Sequence, residues 1–163
     1  MKKNKVKILK IFLVVLIAIW AYVVFNFSSQ NGGDSSGLSR KVVELFTKNE
    51  DTINIVEPYV RKAAHFSEYA LGGVLFISLF STYKWTEGKQ ITISILLGIW
   101  YAITDEVHQL MVPGRHGAVF DVYLDTLGFS TGVLAMLLLI KIVKLCRKNN
   151  SKTRMEEKSN DRF

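Results

Sequence analysis

The chain has 163 residues, which is room for one domain. Hydrophobic residues make up 49% of it and charged residues 21%, and its net charge is +7, so apolar and charged blocks must alternate along the sequence. The single cysteine, Cys146, excludes an intrachain disulfide.

The first apolar run, residues 8–27, follows a lysine-rich start and predicts a transmembrane helix. A basic start before an apolar run is also typical of a cleaved signal peptide. The run is long for a signal peptide, and residues 26–30 lack a clear small-residue cleavage site. We therefore favour a helix that is retained.

A long link, residues 28–62, follows this helix. Its residues 31–37 have the composition of a flexible linker. Apolar residues then recur at helical spacing and predict a short amphipathic helix: Leu38, Val42, Leu45 and Phe46. This helix either lies on the membrane surface or caps the bundle, and the sequence leaves both interpretations open.

Three later stretches, 69–83, 91–104 and 126–140, carry no charge but are shorter than the roughly 20 residues that a spanning helix needs. Each reaches that length only by including ionisable residues, which cost roughly 2.5 to 3.5 kcal/mol inside a membrane. Seven such residues in three segments indicate a site. They are His65, Glu68, Asp105, Glu106, His108, Asp121 and Asp125.

The predicted fold is all-α: an integral membrane four-helix bundle with a short extracytoplasmic amphipathic helix between the first and second spans. The spans are predicted at about 8–27, 63–83, 91–111 and 119–143. Together they form one membrane domain over 1–147. The polar segment 148–163 is predicted to be a disordered cytoplasmic tail.

The distribution of basic residues predicts the orientation of the spans. With both termini in the cytoplasm, fifteen of the 21 lysines and arginines lie on the cytoplasmic side. The polar ends of the last three spans then all fall in the outer leaflet. We expect a multi-pass protein of the bacterial plasma membrane.

Helical spacing predicts which polar residues share a face. The second span groups Arg61, His65, Glu68 and Gly72; the third groups Asp105, His108 and Gln109, with Glu106 turned to one side; the fourth groups Asp121, Asp125, Gly128 and Gly132. The motif Gly128-x-x-x-Gly132 allows close helix approach, and Gly72-Gly73 could do the same.

The predicted site combines two sets of side chains. The candidate catalytic set consists of the seven ionisable residues His65, Glu68, Asp105, Glu106, His108, Asp121 and Asp125. The candidate substrate-binding set consists of Arg61, Lys62, Tyr69, Gln109 and Arg115. A structural alternative is that these groups pair with one another and hold the helices together.

Three segments resemble motifs of the VanZ-like family of bacterial membrane proteins. They are RKAAHFSEY at 61–69, YAITDEVHQ at 101–109, and PGR at 113–115 followed by DVYLDTLG at 121–128. The resemblance implies a small polytopic membrane protein from a Gram-positive bacterium. It also implies a link to resistance to the glycopeptide teicoplanin, but no settled chemical mechanism.

Two classes of function follow for this site. In the first, an enzyme acts at the outer leaflet on a cell-wall precursor or lipid-linked substrate, with His and carboxyl groups as acid and base. In the second, a non-enzymatic protein binds a lipid headgroup or a glycopeptide, or stabilises a partner. An ion path is a minor alternative, because the inner halves of the spans are apolar. We expect no nucleic-acid partner, and the oligomeric state stays open.

A divalent metal is one alternative for the site. His65 and Glu68 lie one helical turn apart, as do Asp105 and His108, and metal sites in helix bundles use such pairs. The sequence leaves the cofactor unassigned.

Overall fold

A computed structural model of the chain describes residues 2–30, 32–114 and 118–160, with side chains for 3–30, 37–114 and 118–150. The described residues form five helices and no strand: α1 (Lys2–Ser28), α2 (Gly32–Glu44), α3 (Glu50–Phe80), α4 (Glu87–Gln109) and α5 (Val119–Asn160). The prediction of an all-α protein is confirmed.

Three of these helices contain segments long and apolar enough to cross a membrane: Lys3–Ser28, Glu50–Phe80 and Val119–Asn150. Helix α4 is not among them, although its 23 residues would extend about 35 Å. Its last two turns carry Asp105 and Glu106, which interrupt the apolar stretch. The fourth span therefore stays a prediction.

Helix α3 begins at Glu50, well before the predicted start near residue 63. Asn49 caps its N-terminus, because the Asn49 side chain accepts a hydrogen bond from the Thr52 backbone N–H at 3.0 Å. Glu50 and Asp51 in the first turn suit the positive end of the helix dipole. The predicted link 28–62 is thus largely helical.

Helix α2 covers most of the segment 31–37 that was predicted to be a flexible linker. It packs on the first turns of α3. Val43 of α2 and Ile53 of α3 are both buried. Arg40 adds hydrogen bonds to Glu44 and to Glu50, which raise the pKa of the Arg40 guanidinium and keep it charged; the bond to Glu50 contributes most.

The four apolar residues of the predicted amphipathic helix are exposed: Leu38, Val42, Leu45 and Phe46, at 54%, 42%, 80% and 86%. Their exposure is compatible with the interpretation in which this segment lies on the membrane surface. Val43, which was not in the predicted set, is buried instead. Helix α2 ends at Glu44, so Leu45 and Phe46 lie in the turn that follows it.

The backbones of α3 and α5 touch at glycines, as the small-residue motif predicts. A Cβ on Gly132 would lie 1.9 Å from the Ala70 carbonyl oxygen, and one on Gly73 would lie 2.0 Å from the Phe129 carbonyl oxygen. Such contact is possible only without a side chain. Gly72, in contrast, leaves room for the Trp20 ring of α1.

The two ends of the helix bundle differ in charge. At one end, the Lys10 ammonium lies 3.5 Å from the centre of the Tyr83 ring, and the Lys141 ammonium lies 2.6 Å from the Glu87 carboxylate. The start of α1, the turn between α3 and α4, and the later part of α5 therefore lie together. The last turns of α4 and the first turns of α5 lie at the opposite end.

Helix α5 continues to Asn160. Residues 148–160, for which the composition predicts disorder, are helical in the structure. At 42 residues and 1.5 Å per residue, α5 is about 63 Å long, roughly twice the hydrocarbon thickness of a bilayer.

We predict that Gly132→Ala lowers the stability of the protein by about 1–3 kcal/mol, because the added methyl group overlaps the Ala70 carbonyl. Thermal unfolding in detergent measures the change. Gly88→Ala is the matched control, since a Cβ there meets no atom within 4 Å and alanine is the better helix former. Equal melting temperatures for the two variants would contradict the close approach.

Candidate functional site

Polar side chains from three helices come together at one end of the bundle. The Asp125 carboxyl of α5 interacts electrostatically with Asp105 and Glu106 of α4, with Glu68 of α3 and with its neighbour Asp121. The close contact between α3 and α5 brings this about, because Gly128 lies against the Phe66 backbone just before Glu68. We call this group of five carboxyls the acidic cluster.

Most of the acidic cluster is withdrawn from the protein surface. Asp105 is 4% exposed, Glu106 7% and Asp125 3%, while the side chains of Glu68 and Asp121 are partly exposed. Burying a carboxylate is costly unless hydrogen bonds or opposite charges compensate. The partners of each buried carboxyl therefore decide whether it holds the fold or remains available to a ligand.

Asp105 is held by its own helix. The Gln109 amide donates a hydrogen bond to Asp105 Oδ2 at 3.0 Å, and both side chains are buried. The prediction that Asp105 and Gln109 share one face of the helix is confirmed. This bond orients Asp105 toward α3, where Glu68 and Tyr69 lie within its electrostatic range.

Glu106 is buried, whereas the helical pattern predicted that it turns to one side. Its carboxylate accepts a hydrogen bond from the backbone N–H of Ala118, the residue before α5 begins. A carboxylate at this place also suits the positive end of the α5 dipole. Glu106 thereby joins the end of α4 to the start of α5 across their connection.

His108 turns toward α1, away from the face that it was predicted to share with Asp105 and Gln109. Its Nε2 lies 3.0 Å from the Ser29 hydroxyl, and its ring stacks on Phe25 with 4.4 Å between centres. The packing of α1 against α4 decides this orientation. His108 therefore links two helices at the edge of the acidic cluster.

The predicted substrate-binding cations differ in their surroundings. The Lys62 ammonium lies 3.5 Å from Asp121 and 4.5 Å from the centre of the Phe120 ring, so it joins α3 to α5. Arg61 lies 3.7 Å from Glu57, one turn earlier on α3. Arg115 lies outside the described residues. Lys62 is thus a predicted cation that contacts the acidic cluster.

Tyr69 forms the bottom of the acidic cluster. It is fully buried, and its hydroxyl interacts with the Asp105 carboxyl as a hydrogen-bond partner and lies within electrostatic range of Asp125. Buried hydroxyl groups usually have such a partner. Tyr69 of α3 therefore adds a polar contact to Asp105 of α4.

A layer of aromatic rings lies beside and below Tyr69. Trp20 packs edge-on against Tyr69, with ring centres 6.1 Å apart, and against Phe129. The Trp20 N–H donates to the Glu68 carbonyl at 2.8 Å, and the Tyr101 hydroxyl donates to the Ala21 carbonyl at 2.8 Å. These rings separate the acidic cluster from the other half of the bundle.

The described side chains do not assemble a metal site. Among them, no group of three or more His, Cys, Asp or Glu residues is placed to hold a metal ion. Of the two predicted ligand pairs, His65 and Glu68 lie close, with His65 Nδ1 4.0 Å from the Glu68 carboxylate. The second pair, Asp105 and His108, does not form, because His108 contacts Ser29 at the end of α1.

Sequence analysis missed the contribution of α1. Trp20 and Phe25 of α1, and Ser29 just after it, all contact predicted site residues, although the span that carries the two rings has no polar face. The signal available was weak: one tryptophan in an apolar run, and two serines at its end. Neither feature predicts partners 48 and 79 residues away in the chain.

One comparison with known proteins gave a match. The family model described as VanZ/LLP1 matches residues 12–141, which is well over half of the chain. The matched region includes α2, α3 and α4 and all the residues of the acidic cluster. No curated protein and no solved structure matches the chain.

We predict that Trp20→Phe lowers the free energy of unfolding by about 1–3 kcal/mol, because it removes one ring of a buried indole together with the hydrogen bond to the Glu68 carbonyl. Thermal unfolding in detergent reports the change. Trp100→Phe is the control, since Trp100 is 64% exposed. An equally small effect of both substitutions would show that the indole N–H does not hold α1 in place.

Proposed function

Because this chain belongs to the VanZ/LLP1 family, we propose that it is a multi-pass bacterial membrane protein whose acidic cluster binds a cell-envelope or lipid-linked substrate. In this proposal, α4 is a fourth span that lies beside α3 and α5, so the buried carboxyls of α4 face protein instead of lipid. Helix α2 and the first turns of α3 then lie outside the apolar region, as an extracytoplasmic amphipathic element.

The observation that carries the proposal is the convergence of carboxyls from three helices. Asp125 interacts with four other carboxyl groups, which is an unusual concentration of acids for a site between helices. Tyr69 adds a buried hydroxyl that interacts with Asp105 and Asp125 of the same group. A ligand that donates hydrogen bonds would compensate the burial of these carboxyls.

The orientation of the chain follows from its basic end. Lys10, Lys89 and Lys141 lie together near the turn between α3 and α4, and basic residues are enriched on the cytoplasmic side of membrane proteins. We propose that this end, with both termini, faces the cytoplasm of the bacterium. The acidic cluster then opens at the outer leaflet of the plasma membrane, where cell-wall precursors and glycopeptides meet the cell.

The chemistry that we propose is proton exchange with a bound substrate. Asp105 and Asp125 are buried carboxyls that could give and take a proton, which contributes typically 10²–10⁴-fold to the rate of a reaction. Lys62 at the edge could hold a phosphate or carboxylate of the substrate. Arg61, His65 and Arg115 are further candidates for binding that anion.

A second candidate is a protein that binds without catalysis. Two bonds favour it: Glu106 accepts from the Ala118 backbone, and Asp105 accepts from Gln109, so both carboxyls already hold the fold. In this case the acidic cluster would sequester a glycopeptide or support a partner protein. We propose resistance to teicoplanin for either candidate. Binding of the glycopeptide alone would be sufficient for it.

We expect Asp125→Asn to abolish function while the protein still folds, because the amide keeps the shape of the side chain but cannot exchange a proton. The measurement is teicoplanin susceptibility of a Gram-positive host expressing the chain, together with thermal unfolding of purified protein. Asp51→Asn is the matched control, since Asp51 is an exposed acid in the first turn of α3.

The outcomes separate a role at the site from a role in the fold. Lost resistance with an unchanged melting temperature assigns Asp125 to the site, either as a proton exchanger or as a carboxylate that binds the ligand. Retained resistance with unchanged stability would rule out proton exchange by Asp125. Resistance that falls in proportion to the amount of folded protein would assign Asp125 to the fold, and a wild-type chain without effect on susceptibility would reject the link to teicoplanin.

The orientation has its own test. Cysteines at Ser35 and Ser151, introduced one at a time into a Cys146→Ser background, would be labelled with a membrane-impermeant maleimide in intact cells. We expect labelling at position 35 and protection at position 151, because the first lies beyond α1 and the second beyond the apolar part of α5. Labelling at 151 alone would reverse the proposed orientation.

A further inference from the structure

A stack of aromatic rings marks the basic end of the bundle, opposite the acidic cluster. Trp85 stacks on Phe80 with ring centres 5.4 Å apart and on Tyr83 with centres 5.1 Å apart. The turn that carries these rings is fixed, because the buried Gln90 side chain donates to the Trp85 carbonyl at 2.9 Å. We call Phe80, Tyr83 and Trp85 the aromatic stack.

Two lysines from different helices lie on the aromatic stack. The Lys10 ammonium of α1 lies 3.5 Å from the centre of the Tyr83 ring, and the Lys89 ammonium of α4 lies 4.8 Å from the centre of the Trp85 ring. Within the described part of the chain, neither ammonium has a carboxylate within salt-bridge distance. Lys141 nearby differs, since Glu87 neutralises it.

An ammonium that rests on a ring keeps hydrogen-bond donors for another acceptor. The ring attracts the charge without accepting its hydrogens as a carboxylate would, so the remaining N–H groups of Lys10 and Lys89 point to the surroundings. Two such groups on one fixed stack form a surface suited to a phosphate. Tyr83 and Trp85 are also the residues typical of the headgroup level of a bilayer.

We propose that Lys10, Lys89 and the aromatic stack bind the headgroup of an anionic phospholipid. The lysines would donate to the phosphate, and Tyr83 and Trp85 would lie along the first carbons of the lipid. Lys84, exposed in the same turn, adds a third positive charge and favours anionic over zwitterionic lipids. This site lies at the opposite end from the acidic cluster and does not depend on its function.

The experiment uses the full-length protein purified in a neutral detergent. Phosphatidylglycerol or phosphatidylcholine is added in matched amounts, and native mass spectrometry counts the lipids that stay bound. We expect the wild-type protein to retain phosphatidylglycerol in preference. Lys10→Gln and Lys89→Gln should each weaken that binding roughly five-fold, while the charge-preserving Lys10→Arg and Lys89→Arg should retain it.

Lys144→Gln is the matched control. Lys144 is an exposed lysine of α5 just beyond Lys141, so its substitution removes the same charge from the same end without touching the aromatic stack. We expect wild-type binding for this variant. An equal loss for Lys144→Gln and Lys10→Gln would reduce the site to general attraction, and equal retention of the two lipids by the wild type would overturn the proposal.

Two further measurements keep the result interpretable. The melting temperature without added lipid checks that each variant folds, and Tyr83→Leu tests the ring itself, with reduced lipid binding expected. Asp125→Asn, the variant that tests the acidic cluster, should bind phosphatidylglycerol as the wild type does. Failure of the lipid proposal and failure of the proposed function are therefore separate outcomes.

Discussion

The backbone contact between α3 and α5 is the constraint on which the rest of the structure depends. The Ala70 carbonyl lies against Gly132 and the Phe129 carbonyl against Gly73, which fixes both the distance and the register of the two helices. Asp125 lies seven residues before Gly132, or about 10 Å along the helix. That register brings Asp125 within electrostatic range of Tyr69 and Glu68.

The same contact also determines where α4 can lie. A Cβ on Gly98 would come 2.5 Å from the Phe129 ring, so α4 approaches α5 closely at the residue that already touches Gly73 of α3. From there α4 runs toward the acidic cluster and delivers Asp105 to it. One aromatic side chain and a few glycines thus set the geometry of three helices.

Helix α1 is held differently. Most of its residues are exposed, and its attachment depends on a few specific contacts: the Trp20 indole on the Glu68 carbonyl, the Tyr101 hydroxyl on the Ala21 carbonyl, and Ser29 beside His108. These contacts lie on one side of the helix. Helix α1 therefore closes the aromatic layer without entering the α3–α5 contact.

The parts of the structure that sequence could predict are those that depend on local pattern. Apolar runs predicted the apolar parts of α1, α3, α4 and α5. The spacing of Gly128 and Gly132 predicted close packing of helices. The start of α3 was predictable in principle, since Asn49 followed by Glu50 and Asp51 is a capping sequence. The ionisable residues that extend the short apolar runs marked the site.

The orientation of individual side chains could not be predicted from the local sequence pattern. Glu106 and His108 lie close together on one helix, and periodicity did not predict that Glu106 is buried while His108 contacts the end of α1. The Ala118 backbone attracts Glu106, and Ser29 with Phe25 attracts His108; both partners come from other parts of the chain. Val43 was likewise missed because its burial depends on Ile53 of α3.

The bond between Glu106 and the Ala118 backbone has a consequence for how the protein enters the membrane. In the proposed topology α4 is a span, and a helix that carries three acids would be a poor substrate for insertion by itself. Once the segment before α5 follows, its Ala118 N–H offers Glu106 a partner. Under that topology we would expect α4 and α5 to insert together as one hairpin.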